Sequence, residues 1–289
     1  MTGETALDEL TDADAVREIL SGQSAAWAAV ESVSDSIIAA LDVLVDSFAK
    51  GGRLLLIGAG TSGRLAAMEA SEVPGTFGVA ADRIQARCAG HLSFGGSAND
   101  ASEDDVGLAR LDMRELDVSH RDAVIAVAAS GTTPYTVEAA RCGLAASARV
   151  ISVTTALGSP LAALATVAIE VPVGEEIIQG ATRLAAGTAQ KLVLNTLTTA
   201  MMVRLGRVHG QIMIDAVPAN EKLIRRASLG VASAANVSLE QGANALHSCG
   251  MDARAAVVLL CTGLDSDAAA ELAHRHRTVR EALASLRDG

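Results

Sequence analysis

Three glycines follow an apolar run near residue 55 with the spacing G-x-G-x-x-G. They are Gly58, Gly60 and Gly63 in "LLLIGAGTSGR". After a strand and before a helix, this spacing is the fingerprint of dinucleotide-binding proteins, because the glycines allow a tight turn and a close approach to pyrophosphate. The same turn carries two hydroxyls, on Thr61 and Ser62. Hydroxyls and backbone amides at the start of a helix also suit a simple phosphate, so other parts of the sequence must decide the ligand.

The dinucleotide interpretation makes a second demand that this sequence does not meet. In dinucleotide-binding folds, an Asp or Glu about 20 residues further on, at the end of the second strand, binds the ribose hydroxyls. The second apolar run here is "IQARC", and the "AGHLSFGG" that follows it contains no acidic residue. The missing acid argues against a nicotinamide or flavin cofactor at this turn.

A second turn repeats the design of the first. The run "AVIAVAASGTTPYTVEAA" predicts a strand, a polar turn over residues 130–133, and then a helix. Turns that follow parallel strands lie at one edge of the sheet, where ligands bind in open α/β folds. Hydroxyls in a single turn are explained by helix capping, but two turns of matched design favour a phosphate cradle. A third turn, with Ser159 and Pro160, needs no function beyond a helix cap.

These turns require a parallel sheet to hold them, and the sequence predicts one. Short apolar runs typical of buried strands alternate with helical stretches, which indicates an α/β fold with a doubly wound parallel sheet. Before the first strand, apolar residues at steps of three and four predict one helix over residues 25–50. The predicted strands are Leu54–Ile57, Ile84–Cys88, Ala123–Ala128, Val150–Val153 and Val167–Val171.

The C-terminal part of the chain has a different pattern. A long helix is predicted over residues 182–206, with an apolar stripe through Val193 and Leu197. Beyond residue 223 no comparable strand-like run follows, and a weak repeat at an offset of 26 residues indicates two similar short helical units. We therefore expect a main domain over residues 1–222, with N-terminal helices, and a small helical domain over 223–289.

Composition and charge exclude several classes of partner. The chain of 289 residues is 50% hydrophobic but only 2% aromatic, which suits helices packed closely on a sheet. Its formal net charge of −11 repels nucleic acid. The acidic N-terminal segment contains no apolar signal, and no apolar run reaches the length of a membrane span. The four cysteines are far apart and predict buried free thiols, so we expect a cytoplasmic protein without a disulfide framework or a zinc site.

Beyond these general features, the hydroxyl-bearing turns resemble those of the sugar isomerase (SIS) domain, which binds phosphosugars. A finer resemblance is to the N-acetylmuramic acid 6-phosphate etherase family, and it extends from about residue 5 to the C-terminus. The resemblance implies a SIS-type three-layer sandwich followed by the family's small helical C-terminal domain. The segments that carry it, in the family's order, are "IGAGTSGRL", "ASEVPGTFG", "ASEDD", "AASGTTPY", "ATRLAAGTAQKLVLN", "MVRLGRVHGQIMID" and "NEKLIRRA".

The resemblance also implies an activity. Members of that family cleave the lactyl ether of N-acetylmuramic acid 6-phosphate to N-acetylglucosamine 6-phosphate and D-lactate, a step in cell-wall amino sugar recycling, without a metal or redox cofactor. It implies two catalytic acids, Glu72 and Glu103, which lie 31 residues apart. Two carboxyls suit an elimination, because one removes the proton on C2 and the other protonates the departing ether oxygen. We assign the base to Glu103 and the acid to Glu72, and the order of these two roles stays open.

The same resemblance implies substrate-binding residues and a homodimer. Without it, Glu72 would be interpreted as a carboxylate at a helix end, and Glu103 as part of an acidic surface or a helix N-terminus. SIS domains usually pair with their active sites near the subunit interface, so a homodimer is the expected assembly. The substrate-binding residues that the resemblance implies are Gly60, Thr61, Ser62, Arg64, Ser130, Gly131, Thr132, Thr133 and Arg183.

Four positions depart from the family pattern. Where the family commonly has Arg, Ser, Lys and Pro, this chain has, in that order, Thr132, Ala181, Ala185 and Gly75. A buried substrate oxygen left without a donor costs about 1–3 kcal/mol. Either the ligand differs, or Arg64, Arg183 and Lys191 compensate. Two alternative functions stay open, a phosphosugar-binding regulator without catalytic activity and an aldose–ketose phosphosugar isomerase.

Histidines provide weaker candidates. His91 lies in a stretch that is Gly-rich in the family, and a lone His in a loop is more often incidental than catalytic. His209 occupies a position that is often aromatic in the family, which favours packing. His274 and His276 lack spaced acidic or Cys partners in the sequence, so no metal site is predicted.

Overall fold

The computed structural model of the protein describes residues 6–90, 100–216, 218 and 220–286. The chain forms two compact units. The first lies within Met1–Ala70 and Ile84–Leu197, and the second within Ser71–Arg83 and Thr198–Gly289. Each unit has a hydrophobic core of its own.

A five-stranded parallel sheet forms the centre of the first unit. Its strands are β1 (Leu54–Gly58), β2 (Ile84–Cys88), β3 (Ala123–Val127), β4 (Arg149–Thr154) and β5 (Val167–Glu170). The order across the sheet is β2-β1-β3-β4-β5, and all neighbouring strands are parallel. The doubly wound parallel sheet predicted from the sequence is therefore confirmed. Because the chain winds to one side of β1 and then to the other, the point between β1 and β3 is the switch point where such sheets bind ligands.

Helices cover both faces of this sheet. On one face, Leu55 and Ile57 of β1 share a core with Met113 and Tyr135 from two helices. Leu54, which points to the opposite face, is also fully buried, and α2 contacts β3, β4 and β5. The helices that begin in this unit are α1 (Asp12–Ser32), α2 (Ser34–Ala49), α3 (Gly60–Phe77), α4 (Val106–Glu115), α5 (Pro134–Ala145), α6 (Pro160–Leu164) and α7 (Ala185–Arg204).

The single helix predicted over residues 25–50 is wrong. The structure has two helices, because Val33 leaves helical geometry with φ −108° and ψ 20°. The first helix also starts earlier, at Asp12, where the Thr11 side chain accepts a hydrogen bond from the Asp14 backbone N–H and caps the helix. The apolar spacing continues across the break, which is why periodicity did not reveal it.

Asp122 ties the start of β1 to the start of β3. Its carboxylate accepts hydrogen bonds from the Arg53 backbone N–H at 2.8 Å, from the Arg53 guanidinium at 2.8 Å and from the Ser119 backbone N–H at 2.9 Å. Burial alone would raise the pKa of Asp122, but these hydrogen bonds outweigh it and lower the pKa to about 2. The carboxylate is therefore charged at all ordinary pH values and stabilises the edge of the sheet where the strands begin.

The second unit contains a short antiparallel hairpin, β6 (Val208–His209) and β7 (Ile212–Met213), and a set of helices. The helices are α8 (Glu221–Ala235), α9 (Leu239–Ser248), α10 (Ala253–Thr262), α11 (Ser266–Arg275) and α12 (Val279–Ser285). Each begins after a polar N-cap whose side chain accepts a backbone N–H bond. The domain boundary near residue 223 stays a prediction, and α8 begins two residues before it.

All four cysteines are free, and burial raises the pKa of each thiol. Three are half-buried, but Cys261 is exposed, so the expectation of a buried thiol is wrong for that residue. Within the described part of the chain, no helix combines the length and hydropathy that a membrane span requires.

Candidate active site

The glycine-rich turn joins β1 to α3 at the switch point of the sheet. Gly60 has φ +53°, a left-handed conformation that strains residues with a side chain. A Cβ on Gly63 would lie 2.4 Å from the Cys88 Sγ and 2.7 Å from the Gly58 carbonyl oxygen. The glycine spacing is thus required by a close strand-to-helix turn, and the turn needs no nucleotide to explain it.

Glu103 lies directly against this turn. A Cβ added to Gly60 would be 2.5 Å from the Glu103 Oε1, so the carboxylate occupies the space that a side chain would fill. Glu103 is half-buried and belongs to the short 3-10 helix Asp100–Asp104. The positive end of the α3 dipole and its free backbone N–H groups favour an anion at this place. The predicted base therefore sits at the carboxyl edge of the sheet, where open α/β folds bind their ligands.

Of the two hydroxyls in this turn, that of Ser62 already has a protein partner. Ser62 is buried, and its Oγ donates to the Gln190 Oε1 at 2.9 Å. The Gln190 amide nitrogen is buried and has no hydrogen-bond partner among the described residues. Thr61 is half-buried beside Gly187, whose missing Cβ would lie 3.6 Å from the Thr61 methyl group. The ligand contacts predicted for Thr61 and Ser62 stay predictions, and Gln190 joins them as a neighbour.

Sequence reasoning missed Gln190, although a signal was present. Gln190 lies three residues before Val193, on the line of the apolar stripe that continues through Leu197. A polar residue on a buried stripe must find a hydrogen-bond partner in the core. That partner is Ser62, which lies 128 residues away in the chain.

The second hydroxyl-bearing turn joins β3 to α5. The Ser130 Oγ accepts hydrogen bonds from the Thr132 backbone N–H at 3.2 Å and from the Thr132 hydroxyl at 3.0 Å, and both residues are exposed. Thr133 is the N-cap residue of α5, but its side chain makes no capping hydrogen bond. Helix capping therefore does not account for these hydroxyls.

The third turn differs from the second. The Ser159 Oγ accepts a hydrogen bond from the Ala162 backbone N–H at 3.2 Å and caps α6, as its sequence predicted. It also lies beside Gly131, which has φ +64° and whose missing Cβ would be 2.2 Å from the Ser159 Oγ. Only glycine fits this position, so the second and third turns pack closely together.

A buried pair, Asp112 and Tyr135, joins α4 to the first turn of α5. The Tyr135 hydroxyl donates to the Asp112 Oδ2 at 2.5 Å, and both residues are almost completely buried. Burial, followed by the bond to Asp112, raises the pKa of Tyr135 well above its usual range. Because α5 also contacts the 3-10 helix that carries Glu103, this pair helps to hold the segment in place.

The basic residues proposed to compensate for the lost donors have different surroundings. Arg64 and Arg183 are exposed. Burial raises the pKa of the nearby Cys88 thiol, while Arg64 lowers it and Glu103 raises it, so both charges act close to the glycine turn. Lys191 donates to the Glu69 carboxylate at 2.9 Å. Of the three basic residues, Lys191 therefore already has its ammonium group in an ion pair within the protein.

Two of the positions that depart from the family pattern, Ala181 and Ala185, lie just before and at the start of α7 and have no side-chain donor. Ala181 is half-buried and Ala185 is buried. The Glu176 carboxylate accepts the backbone N–H groups of Ala185 and Ala186, each at 2.9 Å, and so caps α7. In this chain a carboxylate therefore occupies the N-terminus of α7.

Glu72 lies in the second unit, where its exposed side chain lines a cleft of about 680 Å³. The cleft wall is mainly apolar, and Arg226 is its basic residue. The remaining lining residues are Pro74, Gly75, Thr76, Val79, Ala81, Met213, Ala216 and Leu223. The pairing of Glu72 with Glu103 in one reaction stays a prediction.

The remaining candidates fall outside this arrangement. His91 is not among the described residues. Burial, followed by the nearby Arg280 charge, lowers the pKa of His209, which agrees with a packing role. The prediction that His274 lacks an acidic partner is wrong, because its Nε2 is 2.5 Å from the Asp252 Oδ2. Across the described residues, no group of three or more His, Cys, Asp or Glu side chains could hold a metal ion.

Comparison with known proteins places these features in a family. A family model described as SIS domain matches residues 21–155. The N-acetylmuramic acid 6-phosphate etherase of Mesorhizobium japonicum is 38% identical over 263 residues, which cover 91% of this chain and 86% of that protein. The protein of the same name from Deinococcus radiodurans is 39% identical over 265 residues, 92% of this chain and 87% of that protein.

A solved structure supports the fold. A Bacteroides fragilis protein, assigned as a phosphosugar isomerase involved in capsule formation, covers 67% of this chain and 91% of its own with a TM-score of 0.53. At 20% identity, this likeness shows the shared fold alone. The relatives above, which match over most of the chain, show the family as well as the fold: this protein belongs to the N-acetylmuramic acid 6-phosphate etherase family.

Proposed function

We propose that this protein is a cofactor-independent carbon–oxygen lyase that cleaves the lactyl ether of N-acetylmuramic acid 6-phosphate. The products are N-acetylglucosamine 6-phosphate and D-lactate. The observation that carries the proposal is the Glu103 carboxylate against the bare Cα of Gly60, at the switch point of a SIS-type sheet. The curated relatives, which bear the name of this etherase, support the same reaction.

The phosphate of the substrate binds at the two turns that follow β1 and β3. The free backbone N–H groups at the starts of α3 and α5 and the hydroxyls of Ser130, Thr132 and Thr133 provide donors for its oxygens. None of these three hydroxyls caps a helix. Exposed Arg64 and Arg183 add positive charge to a protein whose net charge is −11. The phosphate thereby orients the opened sugar at the edge of the sheet.

The reaction begins with removal of a proton. In the open-chain sugar, the hydrogen on C2 is acidic because the C1 aldehyde delocalises the resulting negative charge. Glu103 takes this proton, the electron pair forms the C2–C3 double bond, and the C3–oxygen bond to the lactyl group breaks. Glu72 protonates the departing ether oxygen, so that D-lactate leaves as an alcohol.

Water completes the reaction. It adds across the C2–C3 double bond, with its oxygen on C3 and a proton returned to C2. Glu72, now a carboxylate, takes the second proton from the water, and Glu103 returns its proton to C2. The net change is the addition of one water molecule across the ether, and both carboxyl groups regain their starting states.

We also propose a homodimer in the cytoplasm. Three apolar side chains of α1 are largely exposed, Val16 at 55%, Leu20 at 62% and Trp27 at 67%. Their spacing puts them on one face of the helix, and a second copy of the chain would cover such a face. The four free cysteines support a reducing compartment. Equilibrium sedimentation of the protein, with Trp27→Ser as a variant, tests the dimer.

The function is tested by incubating the purified protein with N-acetylmuramic acid 6-phosphate and assaying D-lactate. We expect release of D-lactate, its loss in Glu103→Gln, and wild-type release by Asp104→Asn, an exposed neighbour of the same charge. Binding of N-acetylglucosamine 6-phosphate without any release of D-lactate would contradict the proposal and favour a regulator. Conversion of a phosphosugar aldose to its ketose, without D-lactate, would favour an isomerase.

A further inference from the structure

The Glu72 cleft has an uneven chemical lining that the proposed reaction leaves partly unexplained. One carboxylate, Glu72, and one guanidinium, Arg226, share a wall that is otherwise formed by small and apolar residues. Glu72 has its role as the acid for the leaving group. Arg226 has none, although the cleft volume of about 680 Å³ is suited to a monosaccharide with a substituent.

Arg226 differs from Arg207 and Arg254, two arginines that line another cleft of this unit. Arg207 and Arg254 both bind the Asp215 carboxylate, at 3.0 Å and 2.5 Å, and so serve the structure. Arg226 is exposed, and its contact is with the thioether sulfur of Met213 at 3.9 Å. Among the described residues it forms no ion pair. Its guanidinium is thus available for an anion that enters the cleft.

The leaving group of the proposed reaction carries such an anion. In a lactyl ether, the carbon that bears the ether oxygen also bears a carboxylate and a methyl group. A site that protonates the ether oxygen therefore meets a negative charge two bonds away. We propose that Arg226 binds the lactyl carboxylate and makes the enzyme specific for substrates that carry a free carboxylate at this position. The apolar wall, including Val79 and Leu223, accommodates the methyl group.

The charge on Arg226 would matter more in the transition state than in the bound substrate. As the C3–oxygen bond breaks, negative charge grows on the ether oxygen while the carboxylate keeps its own. A guanidinium beside the ether oxygen and the carboxylate offsets this increase in negative charge. A cation placed where negative charge develops lowers the barrier of the reaction. The inference rests on the proposed function, since it assigns the binding of one part of the same substrate.

The test compares two substrates and two arginines. The substrates are N-acetylmuramic acid 6-phosphate and its lactyl carboxamide, which has the same shape but no charge on the lactyl group. The variants are Arg226→Ala and the matched control Arg225→Ala, because Arg225 is also exposed on α8 but does not line the cleft. We expect Arg226→Ala to lower kcat/KM for the acid by roughly 10- to 100-fold and to leave the carboxamide unchanged. Arg225→Ala should change neither value.

Three results would overturn the inference. One is that wild type and Arg226→Ala discriminate between the acid and the carboxamide equally. Another is that Arg225→Ala loses discrimination to the same extent, since the effect would then come from general charge. If Arg226 had a purely structural role, Arg226→Ala would lower kcat/KM for both substrates together, and this outcome also contradicts the proposal.

The inference can be separated from the proposed function. If wild type releases no D-lactate, the proposed function fails. The role of Arg226 is then tested separately, by measuring ligand affinities in calorimetry. We expect wild type to bind N-acetylmuramic acid 6-phosphate more tightly than N-acetylglucosamine 6-phosphate, which lacks the carboxylate, and Arg226→Ala to lose that difference. Equal affinities in wild type would overturn the inference.

Discussion

Replacing Gly60 by Ala tests whether Glu103 acts from its position against the glycine-rich turn. Gly60 has φ +53°, and a side chain in the left-handed region costs about 1–2 kcal/mol. The new Cβ would lie 2.5 Å from the Glu103 Oε1, so the carboxylate must move aside by about 1 Å. Because the carboxylate ends a flexible side chain, this movement adds little to the folding cost. A displacement of about 1 Å at a reacting group, however, costs on the order of 100-fold in rate.

The control for this variant is Gly250→Ala. Gly250 has φ +61° and no heavy atom of the described residues within 4 Å of an added Cβ, so it reproduces the backbone strain without touching Glu103. Urea denaturation should show a similar loss of about 1–2 kcal/mol in both variants. The D-lactate assay should show a fall in kcat/KM on the order of 100-fold for Gly60→Ala alone. Wild-type activity in Gly60→Ala, together with the expected loss of stability, would refute the assigned position of the base.

Other contacts lead to separate expectations. Asp122→Asn should lower the free energy of unfolding at pH 7 by about 2 kcal/mol, because the pKa of Asp122 falls from 3.8 to about 2 on folding. A lowered pKa stabilises the fold above about pH 4, and this contribution is lost as the pH falls towards 2. The Tm difference between wild type and Asp122→Asn should therefore shrink over that range. A Tm difference that stays constant would contradict this expectation. Ser159→Ala should cost about 1 kcal/mol, because Ser159 caps α6. Thr133→Val should leave the Tm unchanged, because Thr133 makes no capping bond. Calorimetry should show that this variant binds N-acetylglucosamine 6-phosphate more weakly than wild type. A lower Tm with unchanged binding would instead give Thr133 a structural role.

Local sequence patterns could predict the sheet of the first unit, because most of its strands are short apolar runs and helical stretches separate several of them. The five residues of β3, for example, are all buried, and a run buried on both faces is apolar throughout. The break at Val33 could not be predicted in this way. The residues on both sides keep the same apolar spacing, and the change lies in backbone dihedral angles rather than in residue type.

The sequence indicated the ligand-binding edge through its two turns but not the contacts that build it. The carboxylate of Glu103 reaches Gly60, and the Ser62 hydroxyl reaches Gln190, only because segments far apart in the chain pack together. Asp112 and Tyr135 form their buried pair for the same reason. Such pairs depend on how helices dock on the sheet, and a single sequence shows only that a polar residue interrupts an apolar stripe.

In the proposed reaction, Glu103 removes the proton on C2 of the sugar. Nuclear magnetic resonance of N-acetylglucosamine 6-phosphate incubated with enzyme in deuterium oxide measures this step directly, because the exchange of C2 hydrogen needs a base but no leaving-group acid. Wild type and Glu72→Gln should incorporate deuterium at C2, and Glu103→Gln should not. Incorporation by Glu103→Gln at the wild-type rate, with loss of exchange in Glu72→Gln, would contradict the account and reverse the two roles.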